Sequence, residues 1–193
     1  MSFIFNSLKE GQETLNRFLQ DENAILEIDK SIQTFVNSLN NGNKIFACGN
    51  GGSMCDSIHF VEELTGRYRK DRRPLAAISM GDPGHITCVS NDFGFADIFS
   101  RQVEGLGKSG DSLLAISTSG NSENVLKAVH SAKELGIKTI GLTGKDGGKL
   151  KEMADHCLIV PSQITDRIQE IHIKCIHIFI EGIERSLFPD HYA

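Results

Sequence analysis

Five short apolar runs alternate along this chain with segments of helical periodicity, and this alternation restricts the fold more than any other feature of the sequence. The runs are residues 45–48, 75–78, 113–116, 139–142 and 157–160. Each run is continuously apolar and does not alternate with polar residues, which is typical of strands that helices cover on both faces of a parallel sheet. The sequence therefore predicts a parallel sheet within an α/β sandwich.

Helical spacing of apolar residues predicts the layers that cover this sheet. Residues 5–40 contain two helical stretches that separate at Asp21, and Gly42 is suited to end the second one. Further helices are expected over residues 53–64, 122–135 and 150–154. The glycines between these segments mark turns and not a linker, so we expect one domain over residues 1–193.

The last helix, over residues 166–187, is apolar on almost every side, so we expect it to be buried. Its place near the end of the chain favours burial between subunits, and core packing within one subunit is the alternative. We therefore expect residues 1–42 to pack in an oligomer and residues 43–187 to form the α/β core with the C-terminal helix.

Composition and charge exclude several classes of function. The net charge is −5, with 20 Lys and Arg against 25 Asp and Glu, so the basic surface that nucleic acid requires is not expected. No run of residues is long enough to cross a membrane, and the N-terminus MSFIFNSLKEGQ lacks the pattern of a signal peptide. The five cysteines are odd in number, widely spaced and without a CxxC pair, so we expect free thiols in a reducing cytoplasm.

Two loops rich in small residues each follow a predicted strand and precede a predicted helix. The first loop reads GNGGS at 49–53, and the second loop reads STSGNS at 117–122. Ligands of parallel sheets bind at the carboxyl ends of strands, and a helix N-terminus favours anions. Neither loop matches the GxxxxGK[ST] or GxGxxG pattern, so no nucleotide cofactor is expected. The second loop has no Lys or Arg, which favours a sugar phosphomonoester over a triphosphate.

Ordinary helix capping is the alternative role for these hydroxyl groups. Ser53 and Asp56 resemble the ends of a capping box, and Ser122 is placed to be an N-cap. A cap uses one hydroxyl, whereas the second loop has four, at Ser117, Thr118, Ser119 and Ser122. We therefore favour the phosphate-binding interpretation.

Two pairs of polar residues share helix faces. His59 and Glu63 lie four residues apart on the helix after the first loop, and Gln169 and His177 are aligned on the apolar last helix. Polar groups on a buried helix need partners. The four residues are candidates either for an acid/base site or for a four-ligand site for a zinc-like ion, and the sequence leaves both alternatives open.

A third polar segment, Asn91-Asp92-Phe93-Gly94, follows a predicted helix over residues 85–90. A polar turn at this position is suited to bind sugar hydroxyls. It is equally typical of an ordinary Asx turn, and the spacing does not distinguish between the two roles.

Several segments together resemble the phosphoheptose isomerase family, whose members contain a sugar isomerase (SIS) domain. The segments are CGNGGSMCDSIHFVEELTGRY, NDFGFADIFSRQVE, ISTSGNSENV, LTGKDGG and DRIQEIHIKCIH. Many phosphosugar proteins share the two loops, whereas their combination with HFVEELTGRY and the last segment is specific. The resemblance extends from the N-terminal helices to about Ile183.

The resemblance implies a three-layer α/β sandwich with a five-stranded parallel sheet, assembled as a homotetramer with active sites between subunits. It also implies an aldose–ketose isomerase that converts sedoheptulose 7-phosphate to D-glycero-D-manno-heptose 7-phosphate through an enediol. This reaction is the first step toward nucleotide-activated heptose and the lipopolysaccharide core.

Individual residues acquire roles by the same resemblance. Glu63 and His177 would be the catalytic pair. Phosphate would be bound by Ser53, Ser117, Thr118, Ser119 and Ser122, and the rest of the substrate by Asn50, Gly51, Gly52, Glu63, Asn91, Asp92 and Gln169. One zinc ion per subunit would be held by His59, Glu63, Gln169 and His177. A zinc-bound Glu63 is a poorer base, so the ion either acts as a Lewis acid or occupies the site in only some states.

A non-catalytic SIS-domain tetramer that binds a protein partner of the replication-initiator type is the alternative function. Fold-level similarity does not separate the two functions, because the same fold can serve either. The presence of Glu63, Gln169 and His177 favours catalysis.

Overall fold

The computed structural model describes residues 2–193, and its framework is a five-stranded parallel sheet with helices on both faces. The strands are β1 (Ile45–Gly49), β2 (Ala77–Ser79), β3 (Ser112–Ile116), β4 (Lys138–Gly144) and β5 (His156–Val160). The helices are α1 (Phe3–Leu19), α2 (Glu22–Asn40), α3 (Gly52–Thr65), α4 (Pro83–Asp92), α5 (Ser100–Leu106), α6 (Glu123–Glu134), α7 (Leu150–Met153) and α8 (Thr165–Leu187). The three-layer α/β sandwich expected from the sequence is confirmed.

The central strands β1 and β3 are buried on both faces, which explains why their sequences are continuously apolar. In β1, Ile45 and Ala47 belong to an apolar cluster with α2, α3 and α8. Phe46 and Cys48 point to the other face and belong to a second cluster with α5 and α6. Residues of β3 divide between the same two clusters, so the sheet is the middle of three layers.

The strand order β2-β1-β3-β4-β5 creates a switch point between β1 and β3. From β1 the chain moves outward to β2, and it then returns to the other side of β1 to form β3. Gly49 at the end of β1 pairs in register with Ile116 at the end of β3. The first and second loops therefore leave adjacent strand ends, where ligands of parallel sheets commonly bind.

Two local predictions near the first loop are wrong. β2 starts at Ala77, two residues later than predicted, because Ala77 is the residue that pairs opposite Ile45. The capping box at Ser53 does not form, since Gly51 occupies the N-cap position of α3 with φ +55° and Ser53 lies within the first turn. Only a residue that tolerates positive φ fits that cap without strain, which explains the glycine.

The prediction of a polar turn at Asn91 and Asp92 is also wrong, because both residues complete α4. This helix is stabilised at its start by Asp82, whose carboxylate accepts a 2.7 Å hydrogen bond from the N–H of His85. α5 is an additional helix that the apolar spacing did not reveal. Only Ser100 and Val103 of its seven residues are buried, so it presents no apolar face at the helical period.

α8 is buried, as expected, but within its own chain. Its buried apolar residues are Ile168, Ile171, Cys175, Ile176, Phe179, Ile180 and Ile183. They share a cluster with α2 and α3, and the ring of Phe179 lies 5.5 Å from that of Phe35. The apolar character of α8 therefore follows from core packing, and the interpretation of this helix as a subunit interface is not needed to explain it.

The N-terminal helices retain large apolar residues that stay exposed among residues 2–193. Those of α1 are Phe3, Ile4, Phe5, Leu8 and Leu19, and those of α2 are Ile25 and Leu26. Within residues 2–193, no helix combines the length and the apolar character needed to cross a membrane.

His172 connects α8 to the sheet. Its Nε2 donates a 3.0 Å hydrogen bond to the carbonyl of Thr143 in β4, and the side chain is fully buried. Burial lowers the pKa of His172 from 6.5 to about 4. The native protein therefore holds this imidazole neutral over a pH range in which an unfolded chain would protonate it.

We expect this depressed pKa to reduce stability at acidic pH. As the pH falls from about 6.5 toward about 4, the unfolded state takes up a proton that the native state does not, so the free energy of unfolding decreases. The full difference corresponds to roughly 3 kcal/mol. Urea unfolding of wild type and His172→Gln at several pH values measures it. Parallel pH dependence in the two proteins would contradict the prediction.

Candidate active site

Three side chains from two helices converge to form what we call the α3–α8 cluster, His59, Glu63 and His177. The Nε2 atoms of His59 and His177 are 3.0 Å apart, and Nε2 of His59 lies 3.6 Å from a carboxylate oxygen of Glu63. One nitrogen or oxygen atom from each side chain lies within 4.8 Å of the others. Helix periodicity places His59 and Glu63 on one face of α3, and the packing of α8 against α3 brings His177 to them.

Partial burial controls the protonation of this cluster. Burial, and secondarily the charge of Glu62, raises the pKa of Glu63 above its usual 4.5. Burial, and secondarily the charge of His59, lowers the pKa of His177 below its usual 6.5. The two pKa values are thereby brought closer together, which favours proton transfer between these groups and a bound molecule.

The contact between the two histidines also requires a defined proton. Two ring nitrogens at 3.0 Å form a hydrogen bond only when one carries hydrogen and the other accepts it. The ring of Tyr68 stacks on His177, with centroids 6.0 Å apart and planes inclined by 29°. His177 is therefore held between an aromatic ring and a second imidazole.

Gln169 lies beside the first loop, two helical turns before His177 on α8. A methyl group at Gly52 would come within 2.5 Å of the side-chain nitrogen of Gln169. The absence of a side chain at Gly52 thus allows the amide of Gln169 to lie against the start of α3. Gln169 connects the first loop with the helix that carries His177.

The backbone of the second loop is tightly folded. The N–H of Ser117 donates to the carbonyl of Leu142, and the N–H of Gly120 donates to the carbonyl of Ser117. Gly120 has φ +64°, and a Cβ atom there would collide with the carbonyl oxygen of Gly147. The turn therefore requires glycine at this position.

The hydroxyl groups of this loop are not used for capping. Ser122 is the N-cap of α6, but its side chain makes no capping hydrogen bond. Its Oγ lies 2.9 Å from Oγ of Ser117, while Thr118 and Ser119 are half-buried beside them. The start of α6 thus combines uncapped N–H groups with hydroxyl donors, an arrangement suited to an oxyanion.

An amide pair joins the two loops. Asn50 donates to Asn124 and accepts from it, with both N···O distances 2.8 Å. Asn124 lies in the first turn of α6 and was not recognised from the sequence. Asn50, which the resemblance assigns to the substrate, also serves to hold the first loop against the second, and Ser53 is buried at the start of α3.

The structure does not bring Asn91 and Asp92 to the other candidate residues. Both are exposed, and Asn91 donates a 2.8 Å hydrogen bond to Asp92. Within residues 2–193, no hydrogen bond connects either residue to the two loops or to the α3–α8 cluster.

Asp56 is a residue near the cluster that sequence reasoning treated only as part of a cap. It lies three residues before His59 on α3, and burial raises its pKa to about 6. One of its carboxylate oxygens is buried without a hydrogen-bond partner among residues 2–193. Its helical spacing from His59 was the sequence signal that could have identified it.

Comparisons with known proteins identify the family of this chain. A family model described as SIS domain matches residues 8–144. The phosphoheptose isomerase of Fusobacterium nucleatum is 53% identical over 190 residues, which cover 98% of each chain. The solved phosphoheptose isomerase of Neisseria gonorrhoeae is 39% identical with a TM-score of 0.88, and the comparison covers 94% of this chain and 96% of that one.

A second solved structure has the same fold. The phosphoheptose isomerase of Francisella tularensis is 37% identical with a TM-score of 0.89, and the comparison covers 96% of this chain and all of that one. Sequence and fold thus agree over nearly the full length. The chain belongs to the SIS-domain family and, within it, to the phosphoheptose isomerases.

Proposed function

We propose that this protein interconverts sedoheptulose 7-phosphate and D-glycero-D-manno-heptose 7-phosphate as an aldose–ketose isomerase. The observation that carries the proposal is the convergence of Glu63 and His177, an acid/base pair, from separate helices. The substrate class is supported by relatives that are named phosphoheptose isomerases and are more than half identical to this chain.

Glu63 is proposed as the base. In the ketose, removal of a proton from C1 and protonation of the C2 oxygen give an enediol. Return of a proton to C2, with loss of the proton from the C1 oxygen, then gives the aldose. A partly buried carboxylate with a raised pKa suits the carbon proton, because it is a stronger base than a solvated one.

His177 is proposed as the acid for the carbonyl oxygen. Its pKa is lowered, so near neutral pH the ring is mainly uncharged and donates through a single N–H. The contact with His59 and the stacking of Tyr68 restrict the orientation of this ring. A fixed N–H direction supports proton transfer to one oxygen of the substrate.

The second loop is proposed to hold the phosphate. Ser117, Thr118, Ser119 and Ser122 provide hydroxyl groups beside the N-terminus of α6, and Ser53 provides another from the first loop. The amide pair of Asn50 and Asn124 keeps the two loops at a fixed separation. The rest of the sugar would contact Gly51, Gly52 and Gln169, and Asn91 and Asp92 would contribute only across a subunit boundary.

A zinc ion fits the donors of the α3–α8 cluster. Two imidazole nitrogens and a carboxylate oxygen are ordinary zinc ligands, and these three lie within 4.8 Å of one another. We propose His59, Glu63, Gln169 and His177 as the residues that would hold it. The ion would polarise a substrate oxygen as a Lewis acid. Zinc would also reduce the basicity of Glu63, so the two roles of this carboxylate compete.

We also propose that the chain assembles as a homotetramer in the cytoplasm and supplies heptose for nucleotide activation and the lipopolysaccharide core. The apolar residues exposed on α1 and α2 support a subunit interface formed by residues 1–42. The five free cysteines are consistent with a reducing compartment.

We expect Glu63→Gln and His177→Gln each to lower kcat for sedoheptulose 7-phosphate by about 10²- to 10⁴-fold, because each removes one proton-transfer group. Steady-state kinetics of the purified variants measure this change. Glu134→Gln is the matched control, since Glu134 is an exposed carboxylate on α6, in a different layer from the α3–α8 cluster. Wild-type turnover in both variants would refute the proposed roles, and an inactive wild type would refute the isomerase function.

The second loop provides a contrasting variant within the same experiment. Ser119→Ala should raise KM with little change in kcat, because the phosphate is bound equally in substrate and transition state. Ser186→Ala is its control, since among residues 2–193 that hydroxyl bonds only to the carbonyl of Gly182 in its own helix. A fall in kcat without a change in KM would contradict the assigned role of the loop.

Zinc should bind to chelator-treated protein with a stoichiometry of one per chain. Isothermal titration calorimetry is expected to show affinity lower by about tenfold or more in His59→Gln, which lacks one proposed ligand. His130→Gln serves as the control because His130 is exposed on α6, in a different layer. Equal zinc affinity in wild type and His59→Gln would exclude this metal site.

A charge on α1 should disrupt the assembly. Leu8 is 71% exposed, and Leu8→Glu would place a carboxylate in the proposed interface. Light scattering after size exclusion should give four chains for wild type and fewer for the variant. His130→Glu on α6 introduces a carboxylate at a similarly exposed position in a different layer and should remain tetrameric. A monomeric wild type would refute the tetramer.

A further inference from the structure

Arg72 is a buried arginine that belongs to neither loop nor to the α3–α8 cluster. It lies in the segment between α3 and β2, and its side chain has 0% exposure. The guanidinium donates to the carbonyls of Glu63, Leu64 and Gly66 at 2.7, 2.8 and 2.9 Å. These carbonyls are at the C-terminal end of α3, which lacks intrahelical donors and carries the negative end of the helix dipole.

The same guanidinium reaches α8. Its Nε donates a 2.8 Å hydrogen bond to the carboxylate of Glu184, which is 1% exposed. The other oxygen of Glu184 accepts from the hydroxyl of Tyr192 at 2.7 Å. Both oxygens of this buried carboxylate are therefore paired, one of them with the C-terminal segment of the chain.

This hydrogen-bond network reaches both helices that carry the proposed acid/base pair. One end is the backbone of Glu63 itself. The other end is Glu184, seven residues and two helical turns after His177, on the same face of α8. Arg72 thus joins the Glu63 backbone to the helix face that presents His177.

Stability alone is a weak reason for this arrangement. Burial of an ion pair carries a large desolvation penalty. Replacement of such a pair by apolar side chains of similar volume often leaves the stability of the protein unchanged or higher. Apolar packing between α2, α3 and α8 is already present through Phe35, Phe60 and Phe179. That packing is non-directional, whereas a planar guanidinium with several fixed donors determines orientation.

We propose that Arg72 is a positioning residue, which fixes the carboxylate of Glu63 relative to His177 through the carbonyls of α3 and the carboxylate of Glu184. The inference rests on the catalytic roles proposed above for Glu63 and His177. Arg72 acts through these residues and contacts no part of the second loop.

The test is Arg72→Lys, which retains the positive charge but cannot reach three carbonyls and Glu184 together. We expect kcat to fall by about 100-fold, the scale of a displacement of the reacting groups by 1 Å. KM should stay within about twofold, because the phosphate-binding loop is unchanged. A purely structural role would lower the unfolding midpoint and leave kcat per folded enzyme unchanged. Folded Arg72→Lys with wild-type kcat would overturn the proposal.

Two further variants keep the proposal testable if Arg72→Lys does not fold. Tyr192→Phe removes only the hydroxyl that bonds to Glu184, near the chain end, and should lower kcat by a smaller factor without changing KM. Wild-type kcat in this variant, when Arg72→Lys is unfolded, would overturn the proposal. Arg73→Lys is the matched control, because Arg73 is the adjacent arginine and its exposed side chain lies over the ring of Phe188.

Measurement of Glu63→Gln and His177→Gln in the same assay separates the two proposals. Loss of turnover in these variants with normal turnover in Arg72→Lys would refute only the positioning role. Normal turnover in all of them would refute the acid/base assignment itself.

Discussion

The pairing of β1 with β3 is the contact on which the position of the two loops, and of the helices that start from them, depends. It places the end of β1 beside the end of β3, so that two loops distant in sequence begin at adjacent points. α3 starts from one loop and α6 from the other. The amide pair of Asn50 and Asn124 continues this contact beyond the last backbone hydrogen bond of the strands. Without this pairing, the hydroxyl groups and the α3 side chains would not share one edge of the sheet.

α8 completes the site by a combination of non-directional and directional contacts. Its apolar residues bury it against α2, α3 and the sheet, which fixes its layer but leaves rotation and sliding weakly determined. Directional bonds restrict those motions. His172 bonds to a carbonyl of β4, and Glu184 bonds to Arg72 at the end of α3. His177 lies between these two attachment points, and Gln169 lies about one turn before the first of them, so both are held at a defined position on the sheet.

Local sequence patterns account for most of the fold. The five apolar runs identify the five strands, most clearly β1 and β3, where burial on both faces leaves a continuous apolar signal. α5 was not recognised from the sequence because only two of its seven residues, Ser100 and Val103, are buried. Two buried positions do not form a recognisable apolar face. Asn91 and Asp92 were misplaced because a polar helix end and a polar turn have the same composition.

The candidate site could be predicted only in part. Helical spacing places His59 with Glu63 on one helix face and Gln169 with His177 on another. Whether these two faces meet depends on tertiary packing, which local spacing does not predict. The contact between Arg72 and Glu184 spans 112 residues, and neither residue belongs to a local pattern. Glu184 is one of seven charged residues on α8, so its charge alone did not distinguish it from the others. The functional roles of all these residues remain predictions.

The absence of Lys and Arg from the second loop has a consequence for turnover. In an isomerisation the phosphate is identical in the reactant, the intermediate and the product, so its binding energy is the same at every stage. A loop that bound the phosphate through charged Lys or Arg side chains would bind the product as tightly as the reactant. In the proposed phosphate-binding role, the neutral hydroxyl and N–H dipoles of this loop would hold a dianion more loosely and would shorten the time that the product stays bound.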